Sequence, residues 1–262
     1  MRSLSKLFLK TFSRAARPYL KSYGLLQTAK VFNRSALVWE PGAESVLVLA
    51  PHMDDEVIGC GGTLAKHIAR GASVTVAYLT DGAAGGVAEP GASLTATRKR
   101  EAHLALSALG IPQCHFLDAA DGHLMSTPPL TEKLRAILLG GRFDLVYLPF
   151  FLEEHPDHRA ASPLLLDAAR DTGLAPQCLG YEIWTPLFPN CLVNIDATLE
   201  AKRGAIKHYR SQLAESDYAH TQLGLNAYRS AAFLGGTCRH AEAFCSLPLA
   251  QYRELYDAYR RP

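Results

Sequence analysis

Pro51-His52-Met53-Asp54-Asp55-Glu56 places one imidazole and three carboxylates within six residues, directly after the apolar run Val46 to Ala50. A second apolar run, Leu145 to Leu148, leads into Glu153-Glu154-His155-Pro156-Asp157-His158. Neutral nitrogens and a carboxylate can hold a divalent ion, and a spare acid or base beside the ion moves protons in hydrolysis. Pro51 ends its strand by withholding a backbone donor. Asp55 lies three residues after His52, so a tight turn can aim both side chains at one ion. His158 falls in the first turn of a helix that Pro156 can open. His52, Asp55 and His158 thus make a set of two imidazoles and one carboxylate that leaves positions open for water and substrate. Asp54 is then free to act on that water. Taken singly, each cluster reads more readily as a cap or a surface hydrogen bond. Their joint occurrence, each at a strand end where an open α/β sheet meets its ligand, reverses that balance.

Two strand ends side by side require a sheet, and the chain alternates strand-like and helix-like segments over its first two thirds. After Val46–Ala50 the pattern predicts a helix from Gly61 to Gly71, a strand over Val74–Leu79 and a glycine-rich loop from Asp81 to Gly91. It continues with a helix over Arg98–Leu109, a strand at His115–Leu117, a helix over Leu130–Leu139 and a strand over Asp144–Leu148. A helix from Pro156 to about Ala169 follows, then strands at Gly180–Trp184 and Cys191–Ile195 and a helix over Leu199–Leu213. Ala214 to Gly236 shows no clean period and reads as a loop over the sheet; Ala243–Leu247 reads as a last strand. Such alternation predicts a Rossmann-like α/β fold of three layers with a mostly parallel central sheet. The domain reading is a single domain over residues 41–262 with an N-terminal amphipathic extension over residues 1–40.

The totals set limits. A chain of 262 residues buries a substantial core, and a net charge of +2 without a long basic block predicts no nucleic-acid partner. The six cysteines show no short paired spacing and sit in apolar surroundings, as reduced buried thiols do. No apolar run reaches the length of a membrane span, so the cytoplasm is the default location. In the extension, Leu4, Leu7, Phe8 and Phe12 mix with Arg2, Lys6, Lys10, Arg14, Arg17 and Lys21. That composition fits a helix packed on the outside of the domain, or one lying on an anionic membrane surface.

The two clusters also carry a resemblance. Pro51-His52-Met53-Asp54-Asp55-Glu56 matches the P-H-P-D-D-E motif, and His155-Pro156-Asp157-His158 the H-P-D-H motif, of the LmbE-like or PIG-L-like metal-dependent N-deacetylases. Softer agreement runs through Arg98-Lys99-Arg100-Glu101 and His208-Tyr209-Arg210-Ser211-Gln212, over roughly residues 45–250. Met53 stands where the family usually has proline, which loosens one backbone angle and removes no ligand. The resemblance implies removal of an acetyl group from an N-acetylglucosaminyl substrate. It implies that His52, Asp55 and His158 bind zinc, with another divalent ion such as Fe2+ as the alternative. It further implies that Asp54 is the general base and that His155 assists the transition state or protonates the leaving amine. His155 as a plain helix cap is the structural alternative.

Arg98 and His208 are the candidate substrate contacts, Arg98 by its forked donors; the bland roles are a charged helix start and a surface helix residue. Asp157 can orient a metal-bound imidazole or merely suit the helix dipole, and Glu56 can brace the loop. For Asp81 and Asp121 turn formation is the first reading and cleft lining the second. His67, His103, His220 and His240 have no assignment. The expected partner is a small amino-sugar conjugate or a lipid-linked sugar, with the oligomeric state open. Rival readings are an amidase for another amide-linked conjugate, a non-haem iron oxygenase using the same donor set, and a non-catalytic sugar-binding domain. The α/β alternation opposes the oxygenase; intact Asp54 and His158 oppose the binding domain.

Overall fold

A computed structural model describes residues 37–85, 92–213 and 217–261. The extension up to residue 36, and with it the amphipathic reading, lies outside the described residues, as does most of the glycine-rich loop.

Among the described residues, one sheet of eight strands forms the middle layer, in the order β1-β7-β8-β6-β5-β2-β3-β4. The strands are β1 (Leu37–Val38), β2 (Ser45–Ala50), β3 (Ser73–Thr80), β4 (Gln113–Ala119), β5 (Leu145–Pro149), β6 (Gln177–Tyr181), β7 (Cys191–Asn194) and β8 (Ala241–Pro248). β8 runs antiparallel to both neighbours, and the other pairings are parallel. The sheet therefore takes in Leu37 and Val38, ahead of the expected boundary at residue 41.

The helices are α1 (Asp55–Ala69), α2 (Ala92–Leu109), α3 (Pro128–Gly141), α4 (Pro156–Ala168), α5 (Leu199–Ile206), α6 (Arg210–Leu213), α7 (Tyr218–Leu234) and α8 (Leu249–Arg260). β2 alternates between the two cores, Val46 and Val48 facing one and Leu47 and Leu49 the other, as a strand with period two must. α1, α2 and α5 supply the first core, and α3, α4 and α8 the second. This is the three-layer α/β arrangement that strand–helix alternation implies.

From β2 the chain winds outward through β3 and β4, then crosses back to lay β5 on the other side of β2, with Val46 opposite Leu145 and Val48 opposite Tyr147. The winding direction reverses between β2 and β5. Open α/β sheets form their ligand crevice at such a reversal, beyond the carboxyl ends of the two strands. Both chemical clusters lie there.

Several boundaries depart from the pattern reading. α1 starts at Asp55, not Gly61, because Gly59 and Gly62 are helical: a Cβ on Gly59 would sit 2.3 Å from the Tyr181 ring, and one on Gly62 2.8 Å from Ile195. Glu56 is thus helical, and it braces the turn before it by accepting from the Asp54 amide at 3.2 Å. α2 begins at Ala92, which puts Arg98 in its buried interior and not at its start. β6 lies earlier than Gly180–Trp184, and the helix expected over Leu199–Leu213 breaks after Ile206. The supposed loop at Ala214–Gly236 contains α7. Its buried residues are Gln222, Leu223, Asn226, Arg229 and Ser230, so the packed face is mostly polar and leaves no apolar period to read. α8 had no counterpart in the pattern reading.

Candidate active site

The turn after β2 is held by its neighbours. Thr80 donates from its backbone N and from Oγ1 to the Pro51 carbonyl, at 3.0 and 2.8 Å. The His52 amide donates to Asp55 Oδ2 at 2.8 Å, closing the turn on the first residue of α1. Pro156 opens α4, and His155 caps it, accepting from the Asp157 amide through Nδ1 at 3.2 Å.

These two turns bring two imidazole nitrogens and the Asp55 carboxylate together. His52 Nδ1 and His158 Nε2 are 3.2 Å apart; Asp55 Oδ2 is 3.4 Å from the first and Asp55 Oδ1 3.3 Å from the second. A tetrahedral ion with bonds of about 2.0–2.1 Å separates its ligands by about 3.3–3.4 Å, close to the separations in this triangle, in which each nitrogen meets a different oxygen of Asp55. Two wider groupings share His52, one with His155 and His158 and one with Asp121 and Asp157, their ligand atoms within 4.8 Å of one another. The tighter triangle is the better fit, because Asp121 and Asp157 address the opposite ring nitrogen of His52.

That opposite nitrogen, Nε2, lies 3.1 Å from both Asp121 Oδ1 and Asp157 Oδ2. Asp157 is itself fixed by the Gly122 and Leu124 amides at 2.7 and 2.9 Å. On the other imidazole, His158 Nδ1 has no hydrogen-bond partner among the described residues, but the buried Glu153 carboxylate stands 3.6 Å away. Glu153 accepts from the Ile183, Trp184 and Thr185 amides, the first at 2.6 Å. Metal-binding imidazoles are oriented in this way, one nitrogen toward the ion and the other toward a carboxylate. Asp157 thus joins its helix-start position to a contact with His52, and Asp121 lines the site. Asp81 accepts from the Ala83 and Asp121 amides, the role of a turn former.

Burial opposes charge on His52, yet Asp121, Asp157 and Asp55 outweigh it and hold its pKa well above the usual imidazole value. Burial likewise lowers His158, but Asp55 raises it to about 9. Burial raises Asp55, while His158 and His52 pull it far below the usual carboxylate range. The field that keeps protons on two imidazoles is one that a dication can take over, releasing those protons.

Asp54 has φ 146° and ψ −27°, outside the conformations open to most L-residues, at a cost of about 1–3 kcal/mol. Its amide donates to Glu56 Oε2 at 3.2 Å, and Arg98 Nη2 lies 3.2 Å from the Met53 carbonyl and 3.6 Å from Asp54 Oδ1. Burial raises Asp54 to about 7, against the pull of Arg98. Glu56 is fully buried and accepts from Tyr209 Oη; burial pushes it up to about 8.

A cavity of about 240 Å³ opens over these groups, lined by His52, Asp54, Asp55, Arg98, His155 and His158. Six of the seven expected site residues therefore meet. His208, the seventh, does not line it: the helix break after Ile206 turns Tyr209 inward to Glu56 and brings Gln212 to the wall. Gln212 Nε2 donates to the Gly85 carbonyl at 3.4 Å. Ile58, Ile183, Trp184 and Tyr218 complete an apolar side that pattern reading did not assign. Only their place in the fold marks them, although Gln212 already stood within the softer part of the resemblance.

The family model described as PIG-L, GlcNAc-PI de-N-acetylase, matches residues 47–169. The diacetylchitobiose deacetylase of Thermococcus kodakarensis is 30% identical over 192 residues, covering 66% of this chain and 71% of that protein. The solved N,N'-diacetylchitobiose deacetylase of Pyrococcus horikoshii superposes with a TM-score of 0.71 at 26% identity, covering 86% of this chain and 93% of its own. GalB, the 4-carboxy-2-hydroxymuconate hydratase of Pseudomonas putida, shares the fold with a TM-score of 0.70 at 22% identity, covering 78% and 96%. The fold with its strand-end His/Asp centre, beside these deacetylase relatives, defines a hydrolase of amide bonds with a group able to hold a metal. The chain belongs to the PIG-L (LmbE-like) deacetylase family.

Proposed function

We propose that the protein is a zinc-dependent N-deacetylase that removes an acetyl group from an N-acetylglucosaminyl conjugate. The fold alone does not decide this, since a hydratase shares it. The observation that carries the reading is the triangle of His52, Asp55 and His158 with buried Asp54 beside it. When bound there, a divalent ion supplies polarisation of the amide carbonyl and a water of lowered pKa. Asp54 accepts the proton of the attacking water, and its strained backbone, pinned through Met53 and Glu56, keeps the carboxylate in the cavity. Arg98 holds Asp54 and presents donors to the sugar. His155 accepts at Nδ1 from the Asp157 amide, so its neutral ring carries the proton on Nε2. That favours a hydrogen bond to the developing oxyanion, and the proton that Asp54 took from the water is then the one passed to the departing amine. Zinc suits the mixed nitrogen and oxygen set, and Fe2+ accepts the same donors.

The test joins metal analysis of the purified protein with amine release from N-acetylglucosaminyl compounds. About one divalent ion per chain and acetate release are expected, with metal lost in His52→Ala and His158→Ala. Asp54→Asn should keep the ion and lose about 10²–10⁴-fold in turnover. Full metal occupancy in both histidine variants, or near-normal turnover in Asp54→Asn, would overturn the assignment.

A lipid-linked substrate is a finer version of this proposal, supported only by the basic amphipathic composition of the N-terminal segment. Among the described residues no helix is long and apolar enough to cross a membrane. Co-sedimentation with anionic liposomes, for the full chain against one starting at Asn33, decides it.

A further inference from the structure

We infer that Tyr209 and Tyr78 are positioning residues for Asp54, acting through Glu56. They hold the Met53–Asp54 peptide in the strained conformation that turns the Asp54 carboxylate into the cavity. Neither tyrosine lines that cavity. The inference rests on the hydrolase reading, in which Asp54 is the base.

The strain sets the requirement. Asp54 holds φ at 146°, a region that L side chains avoid, so the peptide ahead of it relaxes and carries the carboxylate away unless both its ends are held. The Met53 carbonyl takes Arg98 Nη2 at 3.2 Å, and the Asp54 amide donates to Glu56 Oε2 at 3.2 Å. Arg98 lies on the cavity wall, where a ligand competes for its donors. Glu56 lies behind the wall and holds its end whether or not a ligand is bound.

Glu56 is itself fixed from behind. It accepts from Tyr209 Oη, and Tyr209 stands in the break between α5 and α6. A tyrosine hydroxyl has one proton, and that bond uses it. In the 3.2 Å contact between the Tyr209 and Tyr78 hydroxyls, Tyr78 is therefore the donor. Tyr78 lies on β3 opposite Ala50, the last residue of β2, and its ring stacks on Phe116 at 5.1 Å. A line of bonds thus runs from the sheet through Tyr78, Tyr209 and Glu56 to the Asp54 amide.

Stability alone does not account for this line. Glu56 is fully buried, and among the described residues no Lys, Arg or His pairs with it; its oxygens accept from the Tyr209 hydroxyl and the Asp54 amide. A buried carboxylate with neutral partners only is costly. An apolar side chain of similar size would fill the space at less cost, but would leave the Asp54 amide without an acceptor.

The experiment compares wild type, Tyr209→Phe and Tyr78→Phe with Tyr147→Phe. Tyr147 belongs to the same core and is fully buried, but its hydroxyl bonds His67 Nε2 at 3.0 Å and not this line. On N-acetylglucosaminyl substrates Tyr209→Phe should keep its ion and its KM while kcat falls about tenfold, part of the roughly 10²–10⁴-fold that a positioned base contributes. Tyr78→Phe should fall less, and Tyr147→Phe should keep kcat even where it melts lower. A wild-type kcat in Tyr209→Phe would overturn the inference. So would an equal fall in Tyr147→Phe, which marks general loosening, or loss of the ion, which places the effect on Asp55. Should Tyr209→Phe not fold, Tyr78→Phe is judged by the same outcomes. Amide hydrogen exchange, followed by NMR, needs no turnover and so separates this inference from the hydrolase reading. The Asp54 amide should exchange faster in Tyr209→Phe, while that of Val48 on β2 keeps its wild-type rate. An unchanged Asp54 rate, or the same acceleration at both amides, would overturn the inference whether or not any compound is hydrolysed.

Discussion

Glu153 touches neither the proposed metal position nor the cavity wall, yet it sits between a metal-type ligand and the loop at residues 183–185. Its carboxylate takes amides from Ile183, Trp184 and Thr185 on one side and stands 3.6 Å from His158 Nδ1 on the other. A carboxylate behind an imidazole fixes which nitrogen is free to bind and strengthens it as a donor; losing such a partner typically weakens metal binding by about 10–100-fold. Glu153→Gln keeps the shape and an oxygen to accept from the amides, but removes the charge facing His158. The expected outcome is metal affinity lowered by about one to two orders of magnitude in a chelator competition, with little change in melting temperature. A purely structural role would show the reverse, a lowered melting temperature with unchanged affinity. The difference from Asp54 is instructive. Asp54, Asp55 and His158 were legible in the sequence because contiguous motifs carry them. Glu153, quoted within its cluster, had no visible role, since its partners come from a segment some thirty residues away that only the fold brings near.

Elements explain why the motifs could be placed but their supports could not. β2 and β5 were legible because buried parallel strands are continuous apolar runs, and the reversal of winding between them sets the two clusters side by side. α1 was read six residues short because Gly59, Gly61 and Gly62 resemble a loop. Glycine lowers helix stability by about 1 kcal/mol relative to alanine, so its presence needs a packing reason. At Gly59 the reason is Tyr181, whose ring would lie 2.3 Å from an added Cβ and whose hydroxyl is tied to the Leu49 carbonyl at 2.9 Å. Gly59→Ala therefore sets a helix gain of about 1 kcal/mol against overpacking of about 1–3 kcal/mol. The ring is fully buried and anchored at its far end, so the clash should prevail. The expected outcome is a lower melting temperature together with lower activity, because α1 carries Asp55. Among the described residues Gly204 has nothing within 4 Å of its would-be Cβ, so Gly204→Ala should be neutral or stabilising in the same thermal scan. A stabilised Gly59→Ala would show that the helix can shift away from β6. α7 illustrates the opposite failure of pattern: its packed face makes hydrogen bonds and ion pairs, which hydropathy does not record.

At the scale of the whole molecule, one buried ion pair ties the site helix to the last third of the chain. Lys202 on α5 is fully buried, and its Nζ donates to Glu242 on β8 at 2.6 Å, to the Ile58 carbonyl on α1 at 2.8 Å and to Asn226 on α7 at 3.1 Å. Glu242, also fully buried, accepts from the Gly62 and Thr63 amides of α1 at 2.9 and 2.7 Å. Four elements thus share two charges, and each charge has several partners besides the other. Such a pair is weak evidence of stabilisation, since two desolvated ions can cost as much as their attraction returns; removing one partner is another matter, costing about 3–5 kcal/mol because the survivor is left charged and buried. Lys202→Met should therefore lower the melting temperature by about 6–20 °C, taking about 2–4 °C per kcal/mol for a chain of this size. Glu242→Gln should also destabilise, since it strands the Lys202 ammonium. The double variant leaves no buried charge, so its loss should fall well short of the sum of the two single losses, a coupling readable in a thermal cycle of the four proteins. If the losses simply add, the two side chains act independently, and the attachment of α1 to β8 rests on the amide contacts of Glu242 alone. Because α1 also carries Asp55, the single variants should lose metal affinity in parallel with stability, whereas the double variant should recover part of both.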